Sequence, residues 1–148
     1  MKRKKRIVIT GMGTKNAIGG SVSEFARALR EGVCGISPID LFDTTEFRTH
    51  KGGQVKDFDP RRSIPEEFSL KRMSRADALS MAAALEALTD AGLYPLQENI
   101  KENMGIAIGG GAGGLLEAES FYADLLGKGK ERSKYSQLSS LFCASSAD

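Results

Sequence analysis

The stretch Arg6-Ile-Val-Ile-Thr-Gly-Met-Gly13 sets the reading of this chain, because a short β-branched run passes directly into a glycine turn. That is the form of a buried parallel strand feeding a loop. The loop continues through Gly19-Gly20. Ser21 with Glu24 three residues on then has the form of a capping box, and Phe25, Ala28 and Leu29 share an apolar face that Gly32 closes. The first unit therefore reads strand, glycine-rich loop, helix.

The same order recurs further along. Met104-Gly-Ile-Ala-Ile108 is a second buried-type strand, followed by the loop Gly109-Gly-Gly-Ala-Gly-Gly114. A helix follows in which Leu115, Ala118, Tyr122, Leu125 and Leu126 share a face, with Gly127 as its expected end. Between the two units, residues 34–65 break into short pieces with one candidate strand at Gly53-Gln-Val-Lys56, an ordered connection and not a linker. Ser74 with Asp77 then caps the clearest helix, closed by Gly92, in which Ala78, Met81, Ala82, Leu85, Leu88 and Ala91 recur at helical spacing. So many alanines on one face let a neighbour approach closely. Two strand-loop-helix units favour an α/β architecture with parallel strands. A further ordered unit is expected from Tyr135 to Asp148.

Composition narrows the function classes. With 148 residues, 41% hydrophobic and 27% charged, the chain suits one soluble domain. No stretch approaches the roughly 18 apolar residues of a membrane span, and a cytoplasmic location is expected. The net charge is +2, but Lys2 to Arg6 alone supplies +5 and leaves −3 for the rest. The basic character is thus local, and no basic stripe interleaved with aromatics points to nucleic acid. Cys34 and Cys143 are too few for a disulfide framework and, with His50 the one histidine, build no metal site.

Gly109, Gly111 and Gly114 match the dinucleotide fingerprint literally. Five glycines in six positions satisfy almost any glycine pattern, however, and the second strand with its acidic end is missing. Tight turns and close layer packing explain the glycines better. No cofactor is expected.

Taken in order, Arg6 to Gly13, Gly35-Ile-Ser-Pro-Ile39 with Phe42-Asp43, Val55-Lys-Asp-Phe-Asp-Pro60, Arg72-Met73 with Arg75, Ala82 to Gly92 and Gly105 to Leu115 resemble the N-terminal part of beta-ketoacyl-acyl carrier protein synthases. The resemblance is nearest the type II elongation enzymes and runs over essentially the whole chain. It implies a thiolase-like layered α/β fold, of which residues 1–148 would be most of the first half, incomplete at the C-terminal end. It also implies decarboxylative condensation of acyl and malonyl groups held on an acyl carrier protein, usually by a homodimer.

The family nucleophile is a cysteine in a Thr-Ala-Cys-x-Ser pattern at a strand tip, assisted by two histidines. Its position falls beyond Asp148. Cys143-Ala-Ser-Ser146 has similar letters but follows Tyr135 to Phe142, which is not a buried strand, and His50 matches neither family histidine. No catalytic residue is therefore expected within the chain, and the 148 residues alone are expected to be inactive. The resemblance also implies that Gly111, Ala112 and Gly113 border the acyl pocket, with Ala112 where elongation enzymes often carry a bulkier apolar residue. Two other readings remain: a non-catalytic half-domain that binds a carrier protein or a partner synthase, and a nucleotide-binding α/β protein. The half-fold would expose apolar surface, so the isolated chain is expected to be poorly soluble or oligomeric.

Overall fold

A computed structural model describes residues 6–110, 114–133 and 135. The chain divides into two compact units, Met1–Phe58 with Ala83–Gln97, and Asp59–Ala82 with Glu98–Asp148.

In the first unit, helix α1 spans Val22–Arg30. Ser21 Oγ accepts from Glu24 N at 3.3 Å, as the capping pattern requires, while Glu24 Oε2 reaches one residue further back, to Gly20 N at 2.8 Å. The helix ends on Gly32 at φ +67°, with Gly32 N donating to Leu29 O and Val33 N to Ala28 O. That is the double bond of a Schellman stop, in which a left-handed residue satisfies the last carbonyls. Strands β1 (Ile36–Pro38) and β2 (Lys51–Gly53) follow, antiparallel, with Ser37 opposite Gly52. The second strand thus lies just before the expected Gly53–Lys56 and shares only Gly53 with it. Gln54 leaves the ladder and uses its side-chain oxygen to accept from Asp40 N at 3.1 Å.

Helix α3 (Arg75–Asp90) contributes residues 83–90 to this unit and 75–82 to the other. It too closes in a Schellman stop, at Gly92 (φ +67°), with Leu93 N donating to Leu88 O at 2.8 Å.

The second unit holds helix α2 (Pro60–Ser63), a 3-10 turn at Leu70–Arg72, the first half of α3, helix α4 (Glu98–Lys101) and helix α5 (Leu115–Lys128). Its core is Ile64, Ala78, Ala82, Ala118 and Phe121, with Ser74 and Asp77 buried among them. Helix α5 runs through Gly127 and stops at Gly129, where φ is +79°. Of the side the spacing indicated, it buries Ala118 and half-buries Leu125, and it adds Phe121. Ala118 and Phe121 are buried, Phe121 packing edge-on to Tyr135 at 5.5 Å, whereas Leu115, Tyr122 and Leu126 are exposed. A helix apolar on several sides offers no unique inner stripe to periodicity.

The two expected strands at residues 7–10 and 104–108 pair with no strand among the described residues. A strand is stable only when a neighbour takes its backbone donors and acceptors. The described sheet contains β1 and β2 alone. Ile7 is 96% and Ile9 84% exposed, and Ile106 is exposed too.

Candidate functional site

The residues expected to border an acyl pocket, Gly111, Ala112 and Gly113, lie outside the described residues, as does Cys143. What the structure describes is the scaffold on either side of them. Gly109 and Gly110 are exposed, and a side chain added at either would meet nothing within 4 Å. Gly114 is buried and forms the N-cap of α5 without any side-chain hydrogen bond.

Two residues beyond Leu115, Glu117 crosses to another helix. Its Oε1 accepts from Arg75 N at 3.0 Å, at the start of α3. Beside it, Ser74 and Asp77 form the reciprocal cap that their spacing indicated. Ser74 N donates to Asp77 Oδ2 at 2.8 Å and Asp77 N to Ser74 Oγ at 3.1 Å. The start of α3 therefore has three of its backbone donors taken by side chains, two of them carboxylates that the helix dipole favours there. Immediately before it, Lys71 is exposed on the 3-10 turn. Glu117 Oε2 is buried without a partner among the described residues.

In the first unit the glycine loop 11–20 is fixed to α3 by backbone proximity and by one carboxylate. A Cβ on Gly13 would lie 1.9 Å from Ala83 O, and one on Gly11 would lie 2.2 Å from Ala87 O. Only glycine admits such an approach. Glu86 then gathers the loop: Oε2 accepts from Thr14 N at 3.2 Å and pairs with Lys15 Nζ at 3.4 Å, and Oε1 accepts from Val22 N at 2.7 Å. Lys15 Nζ donates also to Gly20 O, and Met12 N donates to Asp90 Oδ2 at 3.0 Å. These contacts shape a scaffold.

Cys34 is a free thiol, exposed in the connection between α1 and β1. His50 is exposed, its Nδ1 3.3 Å from Thr44 Oγ1 and its carbonyl accepting from Ile39 N. In the same loop, hydrogen bonds from the Thr45 hydroxyl (2.6 Å) and Thr45 N (2.9 Å) hold the Asp43 carboxyl below its ordinary pKa. Among the described residues no group of three or more His, Cys, Asp or Glu comes together to hold a metal, and no helix is long and apolar enough to cross a membrane.

Sequence reading found the Ser74–Asp77 cap but missed Glu86 and Glu117. Each is one of three acids on its helix, beside Asp77 and Asp90 on α3 and beside Glu119 and Asp124 on α5, so nothing in the helix itself singled it out. Their partners lie far away in sequence and carry no pattern of their own.

Comparison with known proteins adds what the geometry lacks. The family model described as "Beta-ketoacyl synthase, N-terminal domain" matches residues 4–147. The 3-oxoacyl-[acyl-carrier-protein] synthase 2 of Vibrio harveyi is 38% identical over 129 residues, which are 87% of this chain and 31% of that protein. The synthase 2 of Synechocystis sp. is likewise 38% identical, over 30% of its length. The chain thus spans about a third of the curated relatives it matches. Among solved structures, the ishigamide ketosynthase/chain length factor aligns with TM-score 0.81 and 29% identity, over 97% of this chain and 36% of that one. A beta-ketoacyl synthase from Burkholderia phymatum aligns with TM-score 0.77 at 23% identity, over 97% of this chain and 35% of that one, a likeness of fold. The fold is the N-terminal portion of the thiolase-like architecture.

Proposed function

Because the chain belongs to the beta-ketoacyl synthase family and carries its N-terminal domain, we propose that it is the N-terminal part of a 3-oxoacyl-acyl carrier protein synthase acting in the cytoplasm in fatty acid or polyketide synthesis. The observation that carries this reading is the family match over residues 4–147, joined to the shared length with synthases of that name. The reaction is a decarboxylative condensation. A cysteine thiolate takes the acyl group from a carrier protein thioester, malonyl-carrier protein loses carbon dioxide, and the carbanion equivalent attacks the acyl thioester and expels the thiolate.

In this reading residues 1–148 form one N-terminal domain and contribute scaffold and pocket border in place of reacting groups. Its two cysteines and single histidine are not the catalytic set in this reading; Cys34 is an exposed free thiol, and His50 is exposed and engaged with a loop threonine. Gly111, Ala112 and Gly113 border the acyl pocket, and the small Ala112 leaves it roomier than a bulky residue would. Full-length Ala112→Ile is expected to shift acyl-chain preference toward shorter chains, and unchanged preference refutes that role. The basic segments Lys2–Arg6 and Lys71–Arg75 supply the charge that an acidic acyl carrier protein would meet. The complete enzyme is a homodimer.

The reading is tested by incubating the 148-residue chain with acyl carrier protein charged with a long acyl group and measuring its intact mass. No acyl adduct is expected on Cys34 or Cys143. A stoichiometric adduct on either would place the nucleophile inside this chain and overturn the division of labour.

A further inference from the structure

Glu117 is the third residue of α5 and lies four positions beyond Gly113 in sequence. A glutamate in that position ordinarily reaches back to the cap of its own helix. Here it serves another helix instead, since Oε1 accepts from Arg75 N at 3.0 Å while Gly114, the cap of α5, receives no side-chain bond. The other oxygen, Oε2, is buried without a partner among the described residues, an arrangement that carries a desolvation cost. The start of α3 does not depend on it for a cap, because Ser74 and Asp77 already bond each other's backbone there. What Glu117 adds is a link between two places. One is the turn that presents Lys71, and the other is the helix that begins directly after the glycine loop.

We propose that Glu117 is a positioning residue that clamps the basic segment Lys71–Arg75 to the first turn of α5, so that the carrier-protein docking segment keeps one fixed register against that helix. The inference rests on the docking role of Lys71–Arg75 proposed above. An ordered docking segment loses less conformational freedom when a partner arrives, so the clamp raises affinity without touching the partner. Its negative charge sits inside the unit, while Lys71 faces outward.

Calorimetric titration of holo acyl carrier protein into the protein tests both layers separately. Lys71→Glu probes the docking reading: its Kd is expected to rise, and an unchanged Kd means that the docking reading itself fails and the clamp with it. With docking upheld, Glu117→Ala is expected to raise Kd by about fivefold or more through lost preorganisation. Glu117→Gln, whose amide oxygen still accepts from Arg75 N, is expected to stay within about twofold of the parent, because the preorganising bond is kept. Ala118→Gly, which destabilises the next position of α5 without removing the clamp, serves as the stability control and is expected to match the parent. The proposal is overturned if Glu117→Ala binds like the parent, or if Ala118→Gly weakens binding as much. Should Glu117→Ala lose its helical circular dichroism, Glu117→Asp replaces it. Its side chain is one methylene too short to reach Arg75 N, and parent-like binding by it overturns the proposal equally.

Discussion

Replacing Gly13 by alanine is the sharpest probe of how the glycine loop is held. The new methyl carbon would lie 1.9 Å from Ala83 O and 2.8 Å from Ala87 N. Backbone atoms of a helix cannot swing aside as a long side chain does, so the loop itself must retreat, by about 1.5 Å to restore ordinary van der Waals separation. Such a retreat breaks the bonds from Thr14 N and Val22 N to Glu86, now 3.2 and 2.7 Å long. Overpacking costs about 1–3 kcal/mol, and each lost hydrogen bond to a charged group about 1.5–3 kcal/mol. With partial relaxation the sum is about 3–5 kcal/mol, a large share of the roughly 5–15 kcal/mol that holds a domain together. Gly32→Ala is the control: φ there is +67°, but an added methyl meets nothing within 4 Å. Only the left-handed backbone is strained, at about 1–2 kcal/mol. Thermal denaturation followed by circular dichroism measures both, and the melting temperature is expected to fall by roughly 10 °C for Gly13→Ala. A cost for Gly13→Ala no greater than for Gly32→Ala would refute the close-approach argument.

Ser74→Ala removes the hydroxyl that accepts from Asp77 N at a fully buried cap, and thermal melting is expected to show a loss of about 1–2 kcal/mol; a loss within error would show that the cap contributes nothing. Thr45→Val removes the first cause of the lowered Asp43 pKa, so carbon-detected NMR titration is expected to show the carboxyl moving up toward its ordinary value. The sign follows from the depressed folded-state pKa: in the parent, the turn's support is present above the unfolded carboxylate range and is lost as pH falls through the folded value. An Asp43 titration unmoved by Thr45→Val would contradict the assignment. Hydrogen exchange is expected to be fast at the amides of Ile7, Val8, Ile9 and Ile106, which lie in exposed segments without a strand partner among the described residues. Slow exchange there would mean that the chain finds a partner, in itself or in a second copy.

The sequence made its local devices plain and its distant ones obscure. Ser74 and Asp77 stand three residues apart, and a capping box is closed within that span, so spacing alone identified it. Gly32 and Gly92 were equally readable, because a left-handed stop depends on one residue. The glycines at 11 and 13 signalled close packing, though not that α3 was the partner. By contrast, Glu86 bonds residues 64 to 72 positions away, and Glu117 bonds Arg75 42 positions away; no periodicity encodes such pairs. The β-branched runs at 7–10 and 104–108 read as strands because their side chains suit a sheet, but strand formation belongs to the pair and not to the segment. On α5, Leu115, Leu116, Phe121, Tyr122, Leu125 and Leu126 surround the helix, so its inner side was set by tertiary packing around Ala118. The functional reading came from the ordered set of motifs, since the pocket border at 111–113 lies outside the described residues.

The most direct test joins this chain to the chemistry it is proposed to serve. Residues 1–148 are placed in the Vibrio harveyi relative in exchange for its matching N-terminal portion, and the 3-oxoacyl product formed from acyl- and malonyl-acyl carrier protein is measured by mass spectrometry. The folded chimera is expected to condense the two substrates, while the 148-residue chain alone yields no product. A chimera that folds as a dimer and binds acyl carrier protein yet forms no 3-oxoacyl product would contradict the assignment.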